Sequence, residues 1–522
     1  MDAHRSVGPS SVKYVDVSNS FSALDFVDDE FGGNQAVKRC FSLSHSFRGK
    51  TLIIEDIPSA GIIDEEHIEL LQINSGYECK DLKRLSFWRT RIGSPDGIEH
   101  QTNDDLIGYA ILKLDHLPGK ADKWHIFEAA FKKYEHEHNC VPCPGNYNVN
   151  ILDKRFTAKA ILYCQQNGLN KACAHVALRS LLSRLIPQQD ISYKQLNEIA
   201  AQYSASPYRP ADGLNIQQMQ EVLKAFGVKY ADLDYDKISK YDPAIRTAIP
   251  YQKYLYAGIE SGCGGLLGFS MSGPQAKDGR HIIPFYGHTF NKDTWAPDAD
   301  VNYFNIGGGV GYIPSEVWTS SFLGHDDNFG PNFCIPRLYV RPEQVQYVVE
   351  LKRGNAQYGG IVAEAQALQF LYSLNPQLNL QNVWLKRLQY CSLPQVQQVV
   401  LRAICISREE YINHLESMTD WDNQTESANI IDVLIKYLPE LLWVVEVSIP
   451  HLFPANEHKL GEILLNALQA RDSKKSIDYK LFMLARFPAK YFLLDSVNQH
   501  GPSFLMIPSQ LISHTPVFRT TQ

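Results

Sequence analysis

The stretch Tyr163-Cys-Gln-Gln-Asn-Gly-Leu-Asn-Lys-Ala-Cys173-Ala-His-Val-Ala-Leu-Arg179 decides how this chain is read. Ala172, Val176, Leu178, Leu181, Leu182 and Leu185 recur at helical intervals until Pro187 stops the run, so the spacing predicts a helix that opens close to Cys173. Just before it, Phe156 to Tyr163 reads as a strand. A thiol becomes a good nucleophile when its thiolate is stabilised, and a helix N-terminus does this through unpaired backbone N–H groups and the macrodipole, helped by a neighbouring imidazolium. Cys173 is therefore the candidate nucleophile. Gln165 and Gln166 precede it by eight and seven residues, and either could offer a side-chain amide to a developing oxyanion beside the Cys173 backbone N–H. His175 is expected to be a helix side chain packed or hydrogen-bonded near the site.

The partner of such a cysteine is assembled in space, and the segment offering it is Gly279-Arg-His281-Ile-Ile-Pro-Phe-Tyr-Gly287-His288-Thr-Phe-Asn291-Lys-Asp293-Thr-Trp295-Ala-Pro-Asp298. On one strand, His281 and His288 point to opposite faces, so only one can meet Cys173. His281 is the favoured base. The other pairing uses His288 with Asn291 or Asp293 as orienter.

With these residues in view, the block from Phe156 to Val340, about a third of the chain, resembles the papain-like cysteine peptidase superfamily. The likeness is to its C39-type and phytochelatin-synthase-like branches in particular. It implies a glutamine ahead of a cysteine that opens a central helix, a histidine beginning a strand that ends in glycine, and an Asp or Asn on the following strand. Carried onto this chain, the resemblance implies Gln166, Cys173, His281 with Gly287 six residues on, and Asp298 as orienter; Gln166 stands one residue farther from the cysteine than is usual. The helix beginning Gly213-Leu-Asn-Ile-Gln-Gln-Met and closed by Gly227, and the strand after Glu260-Ser-Gly-Cys263, are similar to C39-type order. The implied reaction is acyl transfer through a thioester on a peptide or protein amide, with no cofactor. The same residues would serve a transglutaminase, a deamidase or a γ-glutamyl acyltransferase. A catalytically silent binding or scaffold protein is the alternative of another class.

Outward from this block the fold class predicted is α+β in three parts. Residues 1–20 read as a mobile arm and 21–150 as an α+β domain, with strands at Thr51–Ile54, Arg84–Arg91 and Ile107–Leu112 and a helix from Lys123 to Tyr134. Residues 151–340 form the papain-like α+β core, adding helices Tyr193–Tyr203 and Ile216–Phe226 and strands Gly265–Ser270, His281–Phe290 and near Trp295 and Tyr303. Residues 341–522 read as mainly helical, a region for a protein partner, for self-association or for control of the cleft.

At 522 residues, 44% hydrophobic and 20% charged, with net charge −7, the chain has an ordinary globular composition and no clustered basic surface, which argues against nucleic acid as partner. No apolar run approaches the ~20 residues of a membrane span and no signal-peptide core follows the N-terminus, so a cytoplasmic protein without a membrane partner is expected. Ten cysteines at irregular spacing are expected to be reduced and mostly structural, Cys164 and Cys263 among them. His136, His138, Cys140 and Cys143 are a possible zinc set, although a polar loop is the expected reading. Asp326 and Asp327, with His325 in a turn after an aromatic helix, are read as an Asx-capped turn, with a substrate rim or a metal site as alternatives. Gly307 to Gly309 lacks the strand-to-helix context of a phosphate loop.

Overall fold

The computed structural model describes residues 11–133, 139–169, 171–203, 208–210, 213–271, 279–289, 311–378, 381–453, 457–498 and 501–519. Asn291, Asp293, Trp295, Asp298, His136, His138 and Gly307 to Gly309 lie outside the described residues, as do the strands expected near Trp295 and Tyr303. Three seven-stranded assemblies organise the chain into an α+β architecture.

The first sheet is antiparallel throughout, in the order Val12–Asp16, Thr51–Asp56, Glu78–Trp88, Leu106–His116, Lys123–Lys132, Lys154–Tyr163, Gly145–Ile151. Helices Ser20–Phe31 and Gln35–Ser46 cover one face, with Val27, Phe31, Val37 and Phe41 packed on Leu52, Phe87, Ile107 and Phe131. Three expectations are corrected here. Residues 12–16, assigned to a mobile arm, form an edge strand on Thr51–Asp56. Lys123–Lys132 is a strand, not a helix: Ile126, Phe127, Ala129, Ala130 and Phe131 are buried on both faces of a central strand, and burial there outweighs the helical preference of Glu, Ala and Lys. Lys154–Tyr163 is the strand expected, but it pairs within the first sheet, so this sheet runs to within ten residues of Cys173.

The middle sheet has the order Gly330–Pro336, Ser321–Asp326, Arg280–Thr289, Gly265–Ser270, Val345–Leu351, Tyr230–Asp234, again antiparallel. Val345–Leu351 comes from beyond the boundary expected near Val340. Helix Cys173–Leu185 packs Leu178, Leu181 and Leu182 on Leu266, Ile282 and Val349 of one face, while helix Tyr251–Glu260 packs Leu255 and Ile259 on Leu267, Ile283 and Phe285 of the other. Helices Tyr193–Gln202 and Ile216–Ala225 are closed at their starts by capping boxes from Ser192 with Gln195 and from Asn215 with Gln218.

The third sheet joins Ile313–Pro314, parallel, to an antiparallel run of Val400–Ser407, Leu441–Ser448, Gly461–Asn466, Phe482–Phe487, Lys490–Asn498 and Gly501–Pro508. Helix Gly360–Leu374 covers one face, and Arg408–Ser417 with Ala428–Ile435 covers the other. The C-terminal region is thus built on a sheet, which corrects the mainly helical expectation. Leu441–Ser448 is buried along its whole length, and a two-sided apolar run of this kind carries no alternation to separate it from a buried helix.

Candidate active site

Cys173 is the first residue of its helix, and the N-cap, Ala172, provides no side-chain hydrogen bond. The first turn holds no acidic residue, so its backbone donors and the positive end of the dipole are left to whatever occupies the space above them. Loop 164–172 reaches this point from the first sheet and is fixed by Gln165, whose Oε1 accepts from the Ile126 N–H at 2.9 Å and from Asn34 Nδ2 at 3.2 Å. Gln165 is consumed by this structural task. Gln166 instead lines the cleft, donating from Nε2 to Asn328 Oδ1 at 2.5 Å. Gly213, at φ +77°, lies so close that a Cβ there would stand 2.5 Å from the Lys171 carbonyl oxygen, which sets the far wall against the loop leading to Cys173.

His281, on strand Arg280–Thr289, lines the same cleft as Cys173, and the Cys173 side chain is one of the groups that act on its imidazole. Its Nε2 is 3.4 Å from Asp326 Oδ2 and 3.4 Å from Asp327 Oδ1. Phe269, the cross-strand partner of His281, packs edge-on against the imidazole with ring centroids 5.6 Å apart. Burial disfavours the imidazolium, but Asp326, Cys173 and Asp327 outweigh it and raise its pKa from 6.5 to about 10. Asp326 and Asp327 respond differently at equal distance. Burial works against both carboxylates; for Asp326 the His281 contact and the Asn328 and Phe329 N–H groups prevail and hold its pKa below the usual value. Asp327, more deeply buried and without those donors, is pushed up to about 7. Thus Asp326 is held toward its ionised form beside the imidazole, and Asp327 toward its protonated form. Asp326 ends the strand next to that of His281 in the middle sheet, and it also caps the turn Asp326–Phe329, as an Asx-type residue does.

The other candidates separate cleanly. His288 is fully buried on the same strand, with Nε2 2.8 Å from Glu260 Oε1 and Nδ1 2.9 Å from the Thr289 carbonyl oxygen, and it does not line the cleft. Glu260 in turn accepts from Arg402 at 2.6 Å, so His288 belongs to a buried ion network joining the middle and third sheets. His175 donates from Nε2 to Asn197 Oδ1 at 2.8 Å and is pushed down to about 4 by burial, a packed helix side chain as expected. All ten cysteines are free thiols. Burial pushes Cys164 and Cys263 up to about 11 and Cys140 up to about 12, in keeping with structural roles. Trp318 is in a single turn, Ser315–Trp318, and Phe322 is on the strand after it, so the aromatic helix expected before Asp326 is replaced by a turn and a strand.

Cys173, His281, Gln166, Asp326 and Asn328 open onto one cleft of 1390 Å³. Asp298, the orienter that the resemblance implies, lies outside the described residues; among those described, Asp326 and Asp327 stand beside the imidazole. The signal was present as the polar run Asp326-Asp-Asn directly after the apolar strand residues Phe322 and Leu323. The described residues that could hold a cation are His281, Asp326 and Asp327, whose ligand atoms lie within 4.8 Å of one another. Asp327 Oδ2 is buried without a hydrogen-bond partner among the described residues. No family model matches the chain, and no curated protein matches it.

Proposed function

We propose that this chain is a papain-like cysteine hydrolase that cleaves an amide bond in a peptide or protein. The observation that carries the reading is a cysteine at an uncapped helix N-terminus that shares the wall of a large cleft with an imidazole whose Nε2 is 3.4 Å from each of two carboxylates. In this reading the Cys173 thiolate attacks the scissile carbonyl carbon, and the oxyanion is met by the Cys173 backbone N–H and the Gln166 amide. The imidazolium of His281 gives its proton to the leaving amine as the C–N bond breaks, leaving a thioester. His281 then removes a proton from water, the hydroxide displaces the thiolate, and the acid product leaves. Asp326 holds the imidazole through both steps. Resolution by an amine in place of water would make the same residues a transferase.

The test is labelling of the full-length protein with a thiol-directed electrophile, followed by peptide mapping of wild type, Cys173→Ala, His281→Ala and His288→Ala. Fast labelling at Cys173 that is lost in His281→Ala and kept in His288→Ala is expected. Labelling of Cys173 no faster than that of the buried thiols would sink the reading. One observation favours a second reading, metal-assisted hydrolysis: the three ligand atoms of His281, Asp326 and Asp327, with the unpaired Asp327 Oδ2. Turnover that survives Cys173→Ala and is lost on chelation would select it.

A further inference from the structure

The protein carries a net charge of −7, yet the cleft beside Cys173 is lined by Lys171, Arg209 and Arg280, with Asp326 the one acidic residue among the described lining residues. Asp326 is already engaged by His281. Among the described residues, no carboxylate forms an ion pair with Lys171, Arg209 or Arg280, and all three are exposed to the cleft solvent. Their positions bear on the chemistry. Lys171 precedes the nucleophile by two residues, and Arg280 is the chain neighbour of the base. The backbone of Lys171 is held by the close approach of Gly213. A cleft of one sign between low-dielectric walls concentrates ligands of the opposite sign. At 1390 Å³ the cleft also exceeds the roughly 300–1,000 Å³ of an ordinary small-molecule pocket. Phe269, Phe333 and Tyr339 add apolar wall, which suits an extended peptide more than a compact anion.

We propose that the substrate is an acidic peptide segment, with Asp or Glu side chains flanking the scissile bond seated against Lys171, Arg209 and Arg280. This rests on the thiol hydrolase reading for its cleavage step but not for its binding step. Nothing beyond the acyl transfer already described is needed chemically, because the cations position the acyl donor and take no part in bond making.

Binding is read first, with the full-length Cys173→Ala protein and fluorescein-labelled peptides by anisotropy. A peptide with Glu on both sides of a central Gly-Ala bond should bind at least tenfold tighter than its Gln counterpart. That preference should shrink as salt rises from about 0.05 to 0.5 M, since screening acts on exposed charge pairs. Substituting Lys171→Gln, Arg209→Gln and Arg280→Gln together should erase the preference, so that the Glu and Gln peptides bind alike. Equal binding of the Glu and Gln peptides, or tighter binding of a Lys counterpart, overturns the proposal. In wild type, turnover of the same peptides should follow the same order. Preferential binding of the Glu peptide with slow Cys173 labelling would sustain this inference and reject the hydrolase reading, whereas fast labelling with no charge preference would do the reverse.

Discussion

Replacing Asp326 by Asn should lower the alkaline limit of the Cys173–His281 pair. In the native protein the imidazole pKa stands at about 10 instead of 6.5, a preference for the imidazolium on the order of 5 kcal/mol at ~1.36 kcal/mol per unit. The hydrogen bond to Asp326 is the largest of the contributions that raise it. A hydrogen bond to a charged group contributes about 1.5–3 kcal/mol, so its loss should bring the pKa of His281 to roughly 8–9. Asp327 and Cys173 remain in place and keep it above 6.5. The direct assay is the ring-proton shift of His281 in protein carrying ¹³C-labelled histidine, followed from about pH 6 to 11, with the basic limb of kcat/KM for a peptide as the second readout. Stability carries the same signature. Because the folded pKa exceeds the unfolded one, the stabilisation is complete below pH 6.5 and is lost as pH rises through about 10. The Asn variant should therefore lose roughly a third to a half of the pH dependence of its urea midpoint, and its remaining loss should end near pH 8–9 in place of 10. An unchanged His281 titration in Asp326→Asn would refute the assignment of Asp326 as orienter.

Asp327→Asn should act oppositely on stability: burial holds this carboxyl up to about 7, so its ionisation costs stability as pH rises from 3.8 through 7. The variant should gain up to a few kcal/mol above pH 7 relative to wild type and nothing below about pH 4, read by urea denaturation at both pH values. Gly213→Ala forces a Cβ to 2.5 Å from the Lys171 carbonyl oxygen at a positive φ; a cost of about 1–3 kcal/mol and slower labelling of Cys173 are expected. Arg402→Met strands the carboxylates of Glu260 and Glu446, which accept from Arg402 at 2.6 and 2.8 Å in a fully buried setting. A loss of about 3–5 kcal/mol in chemical denaturation is expected, and a loss under about 1 kcal/mol would show the network to be solvated.

How much was legible in the sequence depended on whether an element is buried on one face or two. Helices Tyr193–Gln202 and Ile216–Ala225 keep exposed residues and open on capping boxes, helix Cys173–Leu185 shows its leucines at helical spacing although it is buried nearly all round, and the reading placed the starts of all three correctly. Strand Gly265–Ser270 follows the turn at Gly262-Cys-Gly264 and was read to the residue. Lys123–Lys132, Val400–Ser407 and Leu441–Ser448 defeat the same method because neighbours cover them on both sides, which removes the period-two pattern. The nucleophile and base could be proposed from residue type and helix onset. Their orienting carboxylates could not, since strand adjacency between Arg280–Thr289 and Ser321–Asp326 is set by pairing across a long connection and not by nearness in sequence.

The same pairing explains why so large a chain surrounds one cleft. The turn that carries Asp326, Asp327 and Asn328 ends at Gly330, where φ is +124° and a Cβ would stand 2.7 Å from Arg39 Cβ. From helix Gln35–Ser46, packed on the first sheet, Arg39 donates to the carbonyl oxygens of Pro331, at 3.1 Å from Nε, and of Asn332. Its guanidinium also lies over the Phe333 ring at 4.4 Å. The turn that bears the carboxylates beside His281 is thus clamped by the helical layer of the first sheet, and Gln165 clamps the loop leading to Cys173 through Ile126 of that sheet and Asn34 at the start of the same helix. On the opposite side, Glu260 at the end of helix Tyr251–Glu260 joins a buried series made of Arg402, Glu446, Glu462 and Arg486 of the third sheet with Lys459 between the two glutamates. Both halves of the cleft are therefore braced by residues outside the middle sheet. A thiol and an imidazole need sub-ångström placement to exchange a proton, and surfaces packed from two sides supply that rigidity where loops alone would not.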